Sequence, residues 1–156
     1  MSIEQHVRTR TIAAAPEAIF AVLSDPAQHS RTEPTDWVRG ALESNPDKLT
    51  RVGQMFGMEM FHVNAGRYEI DNKVIALEPN RTIAWQPGQT ENGTWGSGGW
   101  WWRYDLEPVD GGTAVTLTYD WTDVPEAVRA EFGGFPAVPV EFIDESLKTL
   151  DAYVTG

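Results

Sequence analysis

The chain contains no cysteine, which excludes a disulfide framework, a thiol nucleophile and a cysteine zinc site. Histidine is scarce. His6, His29 and His62 stand apart, without the spacing of a ligand set, so no metal centre is expected. No uninterrupted apolar run approaches membrane-spanning length, and the opening MSIEQHVRTR lacks the apolar core of a signal peptide. A chain with no membrane span and a cytoplasmic location is expected. GxSxG, P-loop and dinucleotide fingerprints are also missing, and Gly96-Ser97-Gly98-Gly99 fails the phosphate-loop patterns, so no cofactor is expected. Basic side chains are few towards the end. Residues 104–156 hold only Arg129 and Lys148 against eleven acids, a net of −9, whereas residues 1–103 net −2. The total of 12 basic and 23 acidic residues gives −11, and a chain this acidic repels phosphate backbones, so no nucleic-acid partner is expected.

What is present is length enough for a core and an unusual supply of indoles. The 156 residues suit one domain, 1–156, which at this size buries roughly 70% of its unfolded surface. Residues 4–13 read as a strand. Pro16 then opens a helix carrying Ile19, Phe20, Val22 and Leu23, which stops at Ser24-Asp25-Pro26. At most one more helical turn fits in residues 26–35. From there the pattern is mostly strand, over residues 36–43, 49–61, 67–78, 82–87, 100–108 and 113–121. Turns are expected at Asn45-Pro46-Asp47, Asn64-Ala65-Gly66, Pro79-Asn80 and Asp110-Gly111-Gly112, with a flexible Gly-rich loop over residues 88–99. A long final helix is marked by Val140, Ile143, Leu147, Leu150 and Val154, spaced 3, 4, 3 and 4 apart.

Seven strands joined by short turns make an antiparallel sheet. At about 4.8 Å per strand it is nearly three times as wide as one helix, about 10 Å across. The final helix covers the apolar face only if the sheet curls around it. The space left over is either a pocket or is filled by large side chains.

Three stretches carry a resemblance. Thr11-Ile12-Ala13-Ala14-Ala15-Pro16-Glu17-Ala18-Ile19-Phe20-Ala21-Val22-Leu23-Ser24-Asp25-Pro26, Val52-Gly53-Gln54-Met55-Phe56, and Trp102-Arg103-Tyr104-Asp105-Leu106-Glu107-Pro108 with the Gly111-Gly112-Thr113-Ala114-Val115-Thr116 that follows are the residues concerned. They resemble the polyketide cyclase/dehydrase and lipid-transport family of the START and pollen-allergen-like helix-grip (SRPBCC) superfamily. The resemblance spans almost the whole chain. It implies an α+β helix-grip fold: a curved seven-stranded antiparallel sheet wrapped around a long C-terminal helix, with short helices after the first strand. Members bind, carry or transform very different apolar molecules, and no universal catalytic residue carries over.

Strand parity puts Val52, Gln54, Phe56, Met58 and Met60 on one face, and Tyr68, Ile70, Asn72, Val74 and Ala76 on another. With Trp85, Trp100, Trp102, Tyr104, Tyr119, Phe132, Phe135, Ile143 and Leu147 these are the candidate ligand-lining or core residues. Gln54 and Asn72 stand out, because buried amides need partners. They either pair with each other, with Tyr104 or with water, or they orient a ligand oxygen. Trp100, Trp101 and Trp102 cannot all point inward on one strand. Phe132 and Phe135, in a Gly-rich stretch before the last helix, either gate the core or plug its end.

Three functions fit these residues. The first is binding of a hydrophobic small molecule (lipid, polyketide or aromatic metabolite) by a monomer or homodimer. The second is cyclisation or dehydration of a polyketide-like substrate, with Tyr104, Tyr119, Asn72 and Gln54 orienting carbonyls and His62 or Asp120 as base. The third is a protein-interaction module using the acidic C-terminal surface.

Overall fold

The computed structural model describes residues 2–63 and 65–156; Asn64 of the expected 64–66 turn lies outside the described residues. Strand β1 (Gln5–Ile12) leads into α1 (Pro16–Leu23), where proline occupies the first turn and Glu17 favours the helix dipole. Ser24 ends α1 by returning both its N–H and its hydroxyl to the Phe20 carbonyl. The Asp25 carboxylate then accepts from the Ala27 N–H and caps a 3-10 helix, Pro26–Arg31.

The strands that follow are β2 (Val38–Ala41), β3 (Met55–His62), β4 (Gly66–Glu78), β5 (Thr82–Glu91), β6 (Thr94–Ser97), β7 (Trp101–Val109) and β8 (Gly112–Asp120). They pair antiparallel in the order β1-β8-β7-β5-β4-β3-β2, the seven expected strands, while β6 pairs with β5 off that path. The sheet curls into a half-barrel around α3 (Val140–Thr155), the helix-grip architecture. Helix α3 has no side-chain N-cap and is held by packing: Ile143, Leu147 and Leu150 are almost fully buried. Each removes about 1.5–3 kcal/mol of unfavourable hydration. Arg8–Asp144 and Arg10–Asp151 ion pairs tie the helix to β1.

Four local expectations are corrected. The stretch 88–99 is mostly a hairpin: β5 continues to Glu91, turns at Asn92 (φ 51°) and Gly93 (φ 79°), and returns as β6. Asn-Gly with both residues at positive φ is the favoured two-residue hairpin turn. Gly88 has to be glycine there, because a Cβ would overlap the Gly96 carbonyl and the Trp95 indole. In β4 the register shifts between Val74 and Ala76, so Val74 opposes Trp85 but Leu77, not Ala76, opposes the buried Ile83. A bulge inserts one residue and inverts the parity beyond it. Strand β3 begins only at Met55, and Val52, expected on the inner face, is exposed in the preceding loop. Finally, an unexpected helix α2 (Glu126–Glu131) precedes α3; it buries no residue fully and sets only Val128 against the core, so it carries no amphipathic stripe to be read.

Candidate functional site

Pairing across the curl brings inner-face residues into rows. One row runs Val74, Trp85, Trp102, Tyr119 and His6 across β4, β5, β7, β8 and β1. The Trp102 and Tyr119 rings stack at 4.3 Å between centroids. The Tyr119 hydroxyl accepts from the Ala137 N–H at 3.2 Å, and burial pushes its pKa up to about 12. The neighbouring row on β3, β4 and β5 is Phe56, Asn72 and Pro87. Met58, Met60 and Ile70 continue the buried inner columns of β3 and β4, and Val74, Ile143 and Leu147 are core.

The connection from α1 to β2 covers this face, and it supplies residues that sequence reading missed. His29, on the 3-10 helix, is buried and stacks on Trp85 at 4.9 Å with an edge against Phe56 at 5.4 Å. Its Nε2 lies 2.8 Å from the Leu23 carbonyl. Burial pushes the imidazole below its usual value, against the opposite pull of that carbonyl and of Asp25. Trp37 donates its indole N–H to the Tyr68 hydroxyl at 2.6 Å and packs against Trp102 and against Phe142 of α3. No spacing rule links residue 29 or 37 to residue 85 or 102. The only available signal was that a connection rich in proline and polar groups also carried an isolated imidazole and an indole.

The polar candidates separate sharply. Gln54 is buried, and both ends of its amide are used: Nε2 donates to the Lys48 carbonyl at 2.9 Å and Oε1 accepts from the Thr50 N–H at 2.8 Å. It pairs with neither Asn72 nor Tyr104 but clasps its own loop. Asn72 and Tyr104, only 5% and 6% exposed, make no side-chain hydrogen bond among the described residues. Every fully enclosed side-chain nitrogen or oxygen there is bonded. The residual exposure of these two residues therefore includes their polar tips, and the register sets Asn72 opposite Pro87 and Tyr104 opposite Ile83, on either side of Trp85. Burial pushes the Tyr104 hydroxyl far above its usual range, and the Glu33 carboxylate nearby adds to the effect. Tyr104 also packs against Trp85, at 5.9 Å between ring centroids.

Other candidates lie elsewhere. Trp100, Phe132 and Phe135 form their own cluster before β7, with each pair of centroids 5.6 Å apart; Phe132 is exposed and Phe135 packs on the core. Asp120 is held by Gln5 and the Thr122 N–H on the face of β8 opposite Tyr119, and His62 is exposed at the end of β3. Neither is brought to Asn72 or Tyr104, because adjacent strand residues point to opposite faces and β3 ends at the rim. A groove of about 480 Å³ on the outer face of the sheet is lined by Thr9, Thr82, Asp105 and Thr116, and one of about 220 Å³ lies beside β1 and α3. Among the described residues no group of three or more His, Asp or Glu is placed to hold a metal ion, and no helix is long and apolar enough to cross a membrane.

Residues 5–155 match the family described as polyketide cyclase / dehydrase and lipid transport. The chain belongs to that family. It is 31% identical over 117 residues to the uncharacterized protein Rv0088 of Mycobacterium tuberculosis, a match covering 73% of this chain but only 46% of that longer relative. Among solved structures it resembles protein NE0264 of Nitrosomonas europaea (TM-score 0.72, 15% identity, 97% of this chain and 94% of that one). It also resembles CV1439 of Chromobacterium violaceum (TM-score 0.68, 21% identity, 98% and 99%). The AHSA1 protein of Silicibacter pomeroyi is a third neighbour (TM-score 0.63, 21% identity, 97% and 98%). At these identities the structural likeness speaks for the fold, and this family member's ligand has to be argued from its own residues.

Proposed function

We propose that the protein, as one domain over residues 1–156, binds a small, ring-bearing apolar molecule with an oxygen function between the concave face of the sheet and its cover. The observation that carries this reading is two deeply recessed polar tips on either side of Trp85, the Asn72 amide and the Tyr104 hydroxyl, which have no hydrogen-bond partner among the described residues. Both tips keep a little accessible surface, and a ligand oxygen takes the place of water there. Trp85, Trp102, Trp37 and Tyr68 supply flat apolar walls. The cover, residues 26–37, meets the sheet through the His29–Trp85 and Trp37–Trp102 contacts and is the segment a ligand lifts on entry.

The test is titration of naphthalene and a naphthyl methyl ketone against the protein, followed by tryptophan fluorescence and native mass spectrometry. The ketone should quench saturably with one-to-one stoichiometry. Asn72→Leu and Tyr104→Phe together should weaken the ketone by about tenfold or more while leaving naphthalene unchanged. Absence of saturable binding by either probe, or identical ketone affinity in the double variant, would overturn the proposal.

A further inference from the structure

We propose that the connection between β8 and α3 is a docking surface for a protein segment of one chemistry, a basic amphipathic helix. Phe132 to Val140, FGGFPAVPV, is a run of nine residues without one polar side chain, and none of them is buried. Surface connections ordinarily carry polar residues, because apolar area left in water forgoes its burial free energy. The run is not slack chain. Phe132 closes α2 by donating its N–H to the Val128 carbonyl, and Gly134, at φ 112°, donates its N–H to the Arg129 carbonyl at 2.7 Å. Further on, the Ala137 N–H donates to the Tyr119 hydroxyl, and the Val138 carbonyl accepts from His6 Nε2. Between these anchors the Phe132, Phe135 and Trp100 rings pack pairwise at 5.6 Å, with Phe132 still 55% exposed. Aromatic clusters held firmly at the surface are what protein contacts are centred on.

Charge selects the partner. Acids stand at both ends of the run, Glu131 before it and Glu141 after it, and Glu126 opens α2. Asp123 joins them, since its carbonyl lies against Gly99, next to Trp100. All four are exposed, and none forms an ion pair among the described residues. The cation of α2, Arg129, is already matched by Glu4 and donates to the Val124 and Trp121 carbonyls. The patch is thus apolar at its centre and negative at its rim. An anionic bilayer is repelled by that rim, and a second copy of the patch brings the same acids against it. A helix with an apolar stripe edged by lysine or arginine meets both features at once. This contact needs nothing of ligand binding on the concave face.

The experiment titrates a synthetic helical peptide, with leucines along one face and lysines on both flanks, into nitrogen-15-labelled protein at about 0.15 M salt. Binding should saturate, and backbone amide shifts should move in residues 97–100 and 123–141. Phe132→Ser, at an exposed position, should weaken the peptide about tenfold. Glu126→Lys combined with Glu131→Lys should weaken it as much. Glu107→Lys with Asp110→Lys makes the same charge change at the far end of β7 and β8, where Val109 pairs with Gly112, and should cost no more than about twofold. Equal losses from the two charge reversals, or full affinity in Phe132→Ser, would reduce the contact to attraction between any cation and an acidic chain and so overturn the proposal. Absence of saturable binding overturns it as well. Phosphatidylcholine or phosphatidylglycerol vesicles that take up wild type and not Phe132→Ser would overturn it in favour of a lipid surface. Self-association in sedimentation that Phe132→Ser abolishes would overturn it in favour of a second copy.

Discussion

The Arg129 guanidinium meets the Glu4 carboxylate through two hydrogen bonds, Nη1 at 3.1 Å and Nη2 at 2.9 Å, and so joins α2 to the start of the chain. The same guanidinium donates to the carbonyl oxygens of Val124 and Trp121, and Glu4 also accepts from the Trp121 indole. Helix α2 buries no side chain fully and sets only Val128 against the core, so these contacts do much to fix it in place. The Arg129 hydrogen bonds hold the Glu4 carboxyl below its ordinary 4.5, against a smaller opposing effect of desolvation. A carboxylate with a depressed folded pKa contributes stability that is present above its unfolded value and is lost as pH falls through the folded one. The protection factors of the amides in residues 126–131, corrected for intrinsic exchange, should therefore fall as the pH drops below about 4.5, and the core of the sheet should keep its protection there. Protection factors in α2 that do not change with pH in this window would show that Glu4 is not its anchor.

Gln54 should act on stability first. Gln54→Leu removes the clasp on Lys48 and Thr50 and leaves a backbone carbonyl and N–H to find water. The expected cost is about 1–3 kcal/mol in urea unfolding. With the 48–50 segment loosened, the Lys48–Asp25 ion pair at 2.6 Å should weaken as well. A Gln54→Leu protein as stable as the parent would contradict the structural role.

Asn72 should behave in the opposite way. Among the described residues its amide has no hydrogen-bond partner to lose, so Asn72→Leu should be neutral or stabilising by up to about 1 kcal/mol, while affinity for a naphthyl ketone falls. Parallel chemical denaturation and ligand titration separate the two effects. Destabilisation by more than about 2 kcal/mol would mean that the amide serves the fold.

The consecutive indoles give a test of facing. Trp102 lies in the inner row, stacked on Tyr119 and edge-on to Trp37, whereas Trp101 is directed to the outer face. Trp102→Ala should cost about 3–5 kcal/mol, and Trp101→Ala less than half as much. Equal losses in thermal unfolding would mean that the two faces are assigned wrongly.

Much of this architecture was legible in local pattern. The 3-4 spacing through Val140, Ile143, Leu147 and Leu150 marks α3 because a helix repeats its buried face at that interval. The alternation in β4 identifies its inner residues as far as Val74, and then fails at the bulge, where one extra residue changes the parity without changing the composition. Asn92-Gly93 is a hairpin signal that sequence reading passed over as part of a glycine-rich loop. Helix α2 left no apolar stripe to read, since one valine on the core and its own Arg129 reaching Glu4 hold it.

The sequence by itself determined the class of fold, the seven strands of the main path, the long closing helix and the concentration of negative charge after residue 103, because these depend on periodicity and on counting. Only the tertiary structure decided what the buried polar groups do. Gln54 and Asn72 are both amides at nearly equal burial, yet one is consumed by its own loop and the other has no side-chain hydrogen bond among the described residues. The difference lies in which backbone groups pass within 3 Å: the 48–50 segment doubles back onto Gln54, whereas Asn72 lies within a strand whose backbone is engaged with its neighbours. For the same reason His29 and Trp37 join the site although nothing near them in the chain announces it: they reach it through the fold of the cover, not through the pattern of a strand.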